Sequence, residues 1–166
     1  FFDKGTIMRK AAIIAPNSLP VPPIRGGGIQ NGIAEIIKYY KNYKPYVFSI
    51  NEPGIDNLPL FETDGFIEHH RISLTGWQEF LMNLRHFSRK NYFPYIFEIC
   101  KKLKDIKPDI IHVRSRPWFL PILRKYLGND IKIIEHNHNN YFMEMKKNEV
   151  KRYLAQMDAF AGVSRF

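Results

Sequence analysis

Short apolar runs recur along this chain, separated by stretches whose apolar residues fall three or four apart. That alternation is the feature that most restricts the fold. A continuous apolar run bounded by turn-formers suits a strand buried on both faces, and a 3.6-residue period suits a helix resting one stripe on it. The runs are Ala11–Ala15, Tyr46–Ile50, Phe66–Ile72, Ile110–Val113, Lys132–Glu135 and Ala159–Val163. Between the first two, Ile29, Ile33, Ile36, Ile37 and Tyr40 share one helical face, and Pro45 is expected to stop that helix. Further helices are expected over Trp77–Ser88, Pro94–Lys107, Trp118–Leu127 (with Gly128 as its cap) and Lys146–Gln156. Asn51–Gly65, carrying Pro53, Gly54 and Pro59, reads as loop. Strands separated by helices of this length imply βαβ units. The expected fold is therefore α/β: a Rossmann-like, three-layer domain around a mostly parallel sheet. Its 166 residues and 45% hydrophobic content suffice for one real core.

Ligands of such sheets bind beyond the carboxyl ends of the strands. The rule gathers three loops at one edge. Pro16–Gly28 brings glycines, Arg114–Pro117 brings two arginines, and His136–Asn140 brings imidazoles and amides. Gly26, Gly27 and Gly28 open the first helix, where free amides and the positive end of the dipole favour phosphate or carboxylate. The dinucleotide fingerprint fails, because Asn31 stands three residues after Gly28 and the next glycine is Gly32. A Walker A loop fails for lack of Gly-Lys-Ser/Thr. The plainer alternative is a tight turn that lets the helix pack on its strand. Arg114 and Arg116 suit bidentate contact with phosphate or carboxylate. Together the three loops resemble a sugar-phosphate site more than a metal or nucleic-acid site.

Lys and Arg outnumber Asp and Glu by 25 to 16, a net charge of +9 that favours anionic partners. From Arg85 to Lys107 seven cations meet only Glu98 and Asp105, with aromatics interleaved. Such a segment is either a core helix with a basic outer face or a contact for an anionic membrane. One cysteine, Cys100, allows no internal disulfide and fits a reducing compartment. No run has the length of a membrane span or the form of a signal peptide. Met8-Arg-Lys-Ala-Ala-Ile-Ile14 has the form of a natural start, so residues 1–7 read as a tail.

Taken in order, the Pro-rich loop with Gly26-Gly-Gly28, then Pro108-Asp-Ile-Ile-His112, then His136-Asn-His138, then Asp158-Ala-Phe-Ala-Gly-Val-Ser164 resemble the N-terminal half of a family-4 glycosyltransferase of GT-B fold. Leu19–Gln30 and Arg116-Pro-Trp118 are similar to spore-coat-type members. The resemblance covers Met8 to Phe166 and implies an acceptor-side domain over residues 8–166, facing a donor-binding domain that is absent here. It implies a nucleotide-sugar donor, a carbohydrate or glycolipid acceptor, no cofactor and no metal. The transfer would be retaining, in polysaccharide, glycolipid or glycoprotein synthesis, and the isolated domain would be inactive. His138, with His136 as its rival, would contact the transferred sugar. Gly26–Gly28 with Arg25 would approach the donor diphosphate or the acceptor, and Arg114, Arg116, Trp118 and Asn139 would bind the acceptor. Asp158 and Ser164 would be structural. The setting is cytoplasmic, with peripheral contact to the inner membrane face through Arg85–Lys107.

Other readings stay beside this one. His136 and His138, two apart, could form a metal pair on an extended strand, but no third ligand lies near. His69, His70 and His112 read as strand residues with packing roles. Glu35 and Glu135 lack the carboxylate partner a glycosidase needs. A non-catalytic coat or surface-assembly protein could keep the same fold. Nucleic-acid binding has only the charge in its favour, without a groove-reading motif.

Overall fold

The computed structural model describes residues 8–55, 66–83 and 92–162. Six strands form one parallel sheet in the order β3-β2-β1-β4-β5-β6. They are β1 (Arg9–Ile14), β2 (Tyr43–Ile50), β3 (Glu68–Ile72), β4 (Ile110–Arg114), β5 (Lys132–Asn137) and β6 (Ala159–Gly162). Among the described residues the α-helices between them are α1 (Gly28–Ile36), α2 (Gly76–Asn83), α3 (Phe93–Ile106), α4 (Leu120–Leu127), α5 (Tyr141–Glu144) and α6 (Lys147–Leu154). Strand parity sorts the apolar residues into two cores. Ala12, Ile14, Phe48, Ile111, Val113 and Ile133 pack on one face, against α3 and α4. Ile13, Ala15 and Val47 pack on the other, against Ile33 within α1 and Ile37 just beyond its end. The sheet is thus the middle of three layers, as the alternation of runs requires.

Chain order reverses direction between β1 and β4, where the first two crossovers go one way and the later ones the other. Such a switch leaves a crevice at the carboxyl ends of the two central strands. Tyr95 of α3, fully buried, donates its hydroxyl to the carbonyls of Ala15 (3.1 Å) and Phe48 (3.4 Å), tying down the ends of β1 and β2. Helix ends follow local chemistry. Lys107 adopts a left-handed cap (φ 52°) whose N–H reaches the Leu103 carbonyl at 2.9 Å, and Pro108 prevents continuation. Gly128 (φ 82°) ends α4.

Two expectations need correction. Pro45 does not stop the first helix, which gives way to a 3-10 turn at Ile37–Tyr39; Pro45 instead lies inside β2. The Phe48 carbonyl accepts from Ala15 on the β1 side, so by alternation position 45 faces the β3 side. Pairing with β3 begins only at Tyr46↔Glu68, so the missing N–H of Pro45 has no ladder bond to lose. Secondly, β5 runs on through His136 and Asn137, which were expected in a loop, because both pair with β6 as His136↔Ala161 and Asn137↔Gly162. The short α5 lies between the expected loop His136–Asn140 and the expected helix Lys146–Gln156. Parts of the expected loop, of the Trp77–Ser88 helix and of the Arg85–Lys107 segment, as well as Ser164, lie outside the described residues. Within that segment, α3 turns Tyr95, Ile96, Ile99, Cys100 and Leu103 into the core.

Candidate functional site

At the carboxyl edge of β4 and β5 the structure assembles a cluster of imidazoles around one guanidinium. Ile111 and Val113 point into the α3–α4 core, so His112 and Arg114 between and beyond them point to the α1 face. Parallel register sets Arg114 opposite His136. Arg114 is 1% exposed. Its Nη1 donates to His136 Nδ1 at 2.5 Å and its Nη2 donates to His138 Nε2 at 2.6 Å. The His136 ring stacks on His138 (4.5 Å between centroids) and on His112 (5.4 Å). Tyr40, just past the first helix, closes the row with its hydroxyl 2.9 Å from His112 Nδ1.

Two local devices hold this geometry. Ser115 takes a left-handed conformation (φ 52°), its N–H reaching the His136 carbonyl at 3.0 Å. Its Oγ accepts the His138 N–H at 2.7 Å, so the residue after Arg114 fixes the backbone of its ring partner. Gly32, one turn into α1, supplies the space. A Cβ there would stand 3.2 Å from Arg114 Nη2 and 3.9 Å from His138 Cε1.

Electrostatics keep the rings neutral. Burial first, then the Arg114 charge, holds His136 down at about 4. Burial and the same cation hold His112 down at about 3, and push His138 below its ordinary value. No carboxylate forms an ion pair with Arg114 among the described residues, whose fork goes to imidazoles instead. The site therefore keeps one positive charge at the edge where α1 begins.

The other residues singled out from sequence are distributed differently. Arg116 turns to the opposite side, stacked over Tyr92 and Trp118 and donating to the Ser115 carbonyl (2.7 Å) and Tyr141 Oη (3.3 Å). Its backbone N–H goes to Glu135 Oε1 at 3.0 Å, and burial pushes that carboxyl up to about 8. Arg116 and Trp118 thus form an aromatic cluster with Tyr92 and Tyr141, separate from the imidazole row. Asn139 is exposed beside His138, in a turn where its N–H meets Asn137 Oδ1 at 3.1 Å. Arg25 pairs with Glu52. Gly26 (φ 80°) and Gly27 (φ 116°) hold conformations that suit glycine. At Gly27 a Cβ would also lie 2.5 Å from Gln30 Oε1 and 2.9 Å from Leu19 Cδ1, while Gly26 and Gly28 face open space. The glycine cluster is both a tight turn and an open approach to the start of α1. Asp158 accepts from Ile133 N, Arg124 and Lys132 at the base of β5 and β6, a structural position.

Sequence reasoning missed Gly32 and Tyr40 as neighbours of the site. Gly32 carried a signal, since a helix-interior glycine disfavoured by about 1 kcal/mol against alanine points to close approach. A separate cavity of about 420 Å³ lies at the ends of β2 and β3, with Asn51, Ser73 and Glu79 as its polar walls and Ile50, Ile72 and Leu74 as its apolar ones. Among the described residues no group of three or more His, Cys, Asp or Glu could hold a metal ion. No helix among them is long and apolar enough to cross a membrane.

No family profile matches the chain. Among curated proteins it is 30% identical over 160 residues to YtcC of Bacillus subtilis (strain 168), named as a glycosyltransferase, covering 95% of this chain and 34% of that protein. It is 29% identical over 136 residues to spore coat protein SA of the same strain, covering 80% of this chain and 30% of that one. The chain thus spans about a third of the length of the curated relatives it matches. Among solved structures it superposes on sucrose-phosphate synthase from Thermosynechococcus elongatus with a TM-score of 0.58 at 11% identity, covering 92% of this chain and 41% of that one. Acinetobacter baumannii MurG gives 0.51 at 10%, covering 95% and 42%. At these identities the likeness is one of fold: this chain has the Rossmann-like architecture found in GT-B glycosyltransferases, and its curated relatives bear glycosyltransferase and spore-coat names.

Proposed function

We propose that this chain is the acceptor-side domain of a nucleotide-sugar-dependent glycosyltransferase, working with a second, donor-binding Rossmann-like domain in the synthesis of a polysaccharide, glycolipid or glycoprotein. The carrying observation is the grouping at the β1/β4 switch. A helix opened by glycines, a buried guanidinium paired with imidazoles and with no carboxylate among the described residues, and a half-exposed imidazole share one edge. Glycosyl transfer develops negative charge on a departing diphosphate. Preorganised amides and a fixed cation stabilise such charge without a metal or a cofactor, and so fit a metal-independent transfer, which we take to be retaining. His138 offers the N–H that would orient a hydroxyl of the transferred sugar. Gly26, Gly27 and Gly28 leave the start of α1 open to phosphate, while Arg25 stands at the rim. Asn139 and the cavity beyond β2 and β3 supply polar groups for the acceptor. Arg116 and Trp118 support that edge from behind. The setting is the cytoplasm, at or near the inner membrane face.

The test uses the full-length protein encoded with this chain, screened for transfer from a panel of nucleotide-diphosphate sugars. Activity that falls about a hundredfold in His138→Ala, with donor affinity reduced less, is the expected result. Donor turnover by the 166-residue chain alone, or a full-length protein inert toward every donor, would refute the proposal. The 29% identity to a spore coat protein supports one other reading, a non-catalytic assembly protein on the same fold. In that case the full-length protein would bind no nucleotide sugar.

A further inference from the structure

We infer that Arg114 makes the His136–His138 pair a donor-only device, fixing each ring in one neutral tautomer with its lone pair already taken. This deepens the reading of the site just given, but stands on geometry alone. A guanidinium has N–H donors and no acceptor. Both imidazole nitrogens that meet it, His136 Nδ1 at 2.5 Å and His138 Nε2 at 2.6 Å, must therefore be unprotonated acceptors. A neutral ring carries one N–H, so the hydrogen sits on Nε2 of His136 and on Nδ1 of His138. Neither ring keeps a free lone pair. The pair can hydrogen-bond to oxygen atoms of a ligand, and it cannot take a proton from one without first breaking a bond to Arg114 and setting two cations side by side. His138 is thereby a hydrogen-bond donor to its ligand and not a general base. Any group that deprotonates an acceptor hydroxyl stands elsewhere.

The surroundings reinforce the lock. Arg114 is buried, its neighbour Ser115 pins the His138 backbone, and Gly32, lacking a Cβ, lets the fork sit close against α1. The charged and titratable groups around the pair are Arg114 and His112 from β4, Tyr40 from beyond α1, and Glu135 from β5. Glu135 points to the opposite sheet face and is held by Arg116 N–H. Among the described residues only Arg114 is a fixed charge within hydrogen-bond reach, and it opposes protonation of either ring.

The deciding experiment is long-range ¹H–¹⁵N correlation spectroscopy of the imidazoles in the ¹⁵N-labelled 166-residue chain, from pH 8 to pH 5. The expected spectrum has His136 as the Nε2–H form and His138 as the Nδ1–H form, both unchanged across that range. Either ring in the opposite tautomer, or an ordinary titration near pH 6.5, would overturn the inference. In Arg114→Met, which replaces the fork with an apolar chain of similar length, both rings should become tautomer mixtures and titrate at higher pH. Unaltered rings in that variant would also overturn it. If that variant does not fold, the unmodified chain decides alone. The outcome is independent of the glycosyltransferase reading. Correct tautomers in a protein that transfers no sugar would sustain this inference and remove that reading, and wrong tautomers in an active enzyme would do the reverse.

Discussion

Replacing Gly32 with alanine sets two effects of known sign against each other. Within a helix interior, alanine is favoured over glycine by about 1 kcal/mol, so a Gly32 that only continued α1 would be improved by the change. The structure places the new Cβ 3.2 Å from Arg114 Nη2, tighter than ordinary contact. That nitrogen cannot yield freely, because it is buried and bonded to His138 Nε2 at 2.6 Å. Displacing it weakens a hydrogen bond of a charged donor, which contributes about 1.5–3 kcal/mol. The net expectation is destabilisation of about 0.5–2 kcal/mol, or a melting point lower by roughly 1–8 °C. Gly28→Ala is the control, at the first position of the same helix and with open space around its Cβ; it should leave the melting point nearly unchanged. Thermal denaturation of both variants, with the His138 ring resonances followed in parallel, provides the assay. A Gly32→Ala chain that is more stable than the parent, with His138 unmoved, would refute the close approach of α1 to the guanidinium.

Acid should unfold this chain early. His112 and His136 titrate at about 3 and about 4 in the folded state, below the unfolded value near 6.5, so their contribution is complete above pH 6.5 and is lost as pH falls through those values. Proton uptake on unfolding at pH 5 should exceed what carboxylates alone predict by at least about two, from His112 and His136, with His138 adding to it, as measured from the pH dependence of the denaturation free energy. Glu135 behaves oppositely: its carboxyl, raised to about 8 by burial, favours folding when protonated, so stability declines as pH rises from about 4 to 8. Glu135→Gln keeps an acceptor for Arg116 N–H, and its melting-point advantage over the parent should grow between pH 5 and pH 8. Asp158, lowered to about 2 by the Ile133 N–H and its cations, stabilises the fold above pH 4 and ceases to do so as pH falls toward 2. Discounted for solvent screening, Asp158→Asn should lower stability at pH 7 by about 1 kcal/mol and leave it unchanged at pH 2.

The strand-and-helix order was legible in the sequence because continuous apolar runs such as Ala11–Ala15 have few alternatives to a buried parallel strand. What was not legible followed from pairing and parity. Pro45 looks like a helix stop on propensity alone, and only the register with β3 shows that its missing N–H faces no partner. His136 and Asn137 look like loop residues because they are polar, and their strand character comes from β6 alongside. The candidate site shows the same division. Sequence order brought Arg114, His136 and His138 to one edge. Whether an arginine there offers its fork to solvent or buries it depends on which sheet face it takes, and that depends on where β4 ends. Arg116, two residues on, lies past the strand end and a left-handed Ser115, so parity no longer applies and its side chain falls on the other side. Trp118 follows it there. Gly32 was passed over because it failed a fingerprint, although its place inside a helix indicated a close neighbour.

A buried arginine is commonly satisfied by a carboxylate, and the departure from that habit bears on what the edge is for. Neutral imidazoles accept from both terminal nitrogens of the fork here, which gives Nη1 and Nη2 partners while leaving the charge uncancelled. An aspartate or glutamate at position 136 or 138 would pair more strongly, and would also remove the positive potential at the start of α1. Histidine satisfies the donor geometry and preserves the field. The arrangement carries a stability penalty on acidification, because protonating either ring would place like charges in contact. A site whose purpose was only to hold β4 against β5 would have no reason to accept that penalty. One that must attract an anion while presenting N–H donors to it would.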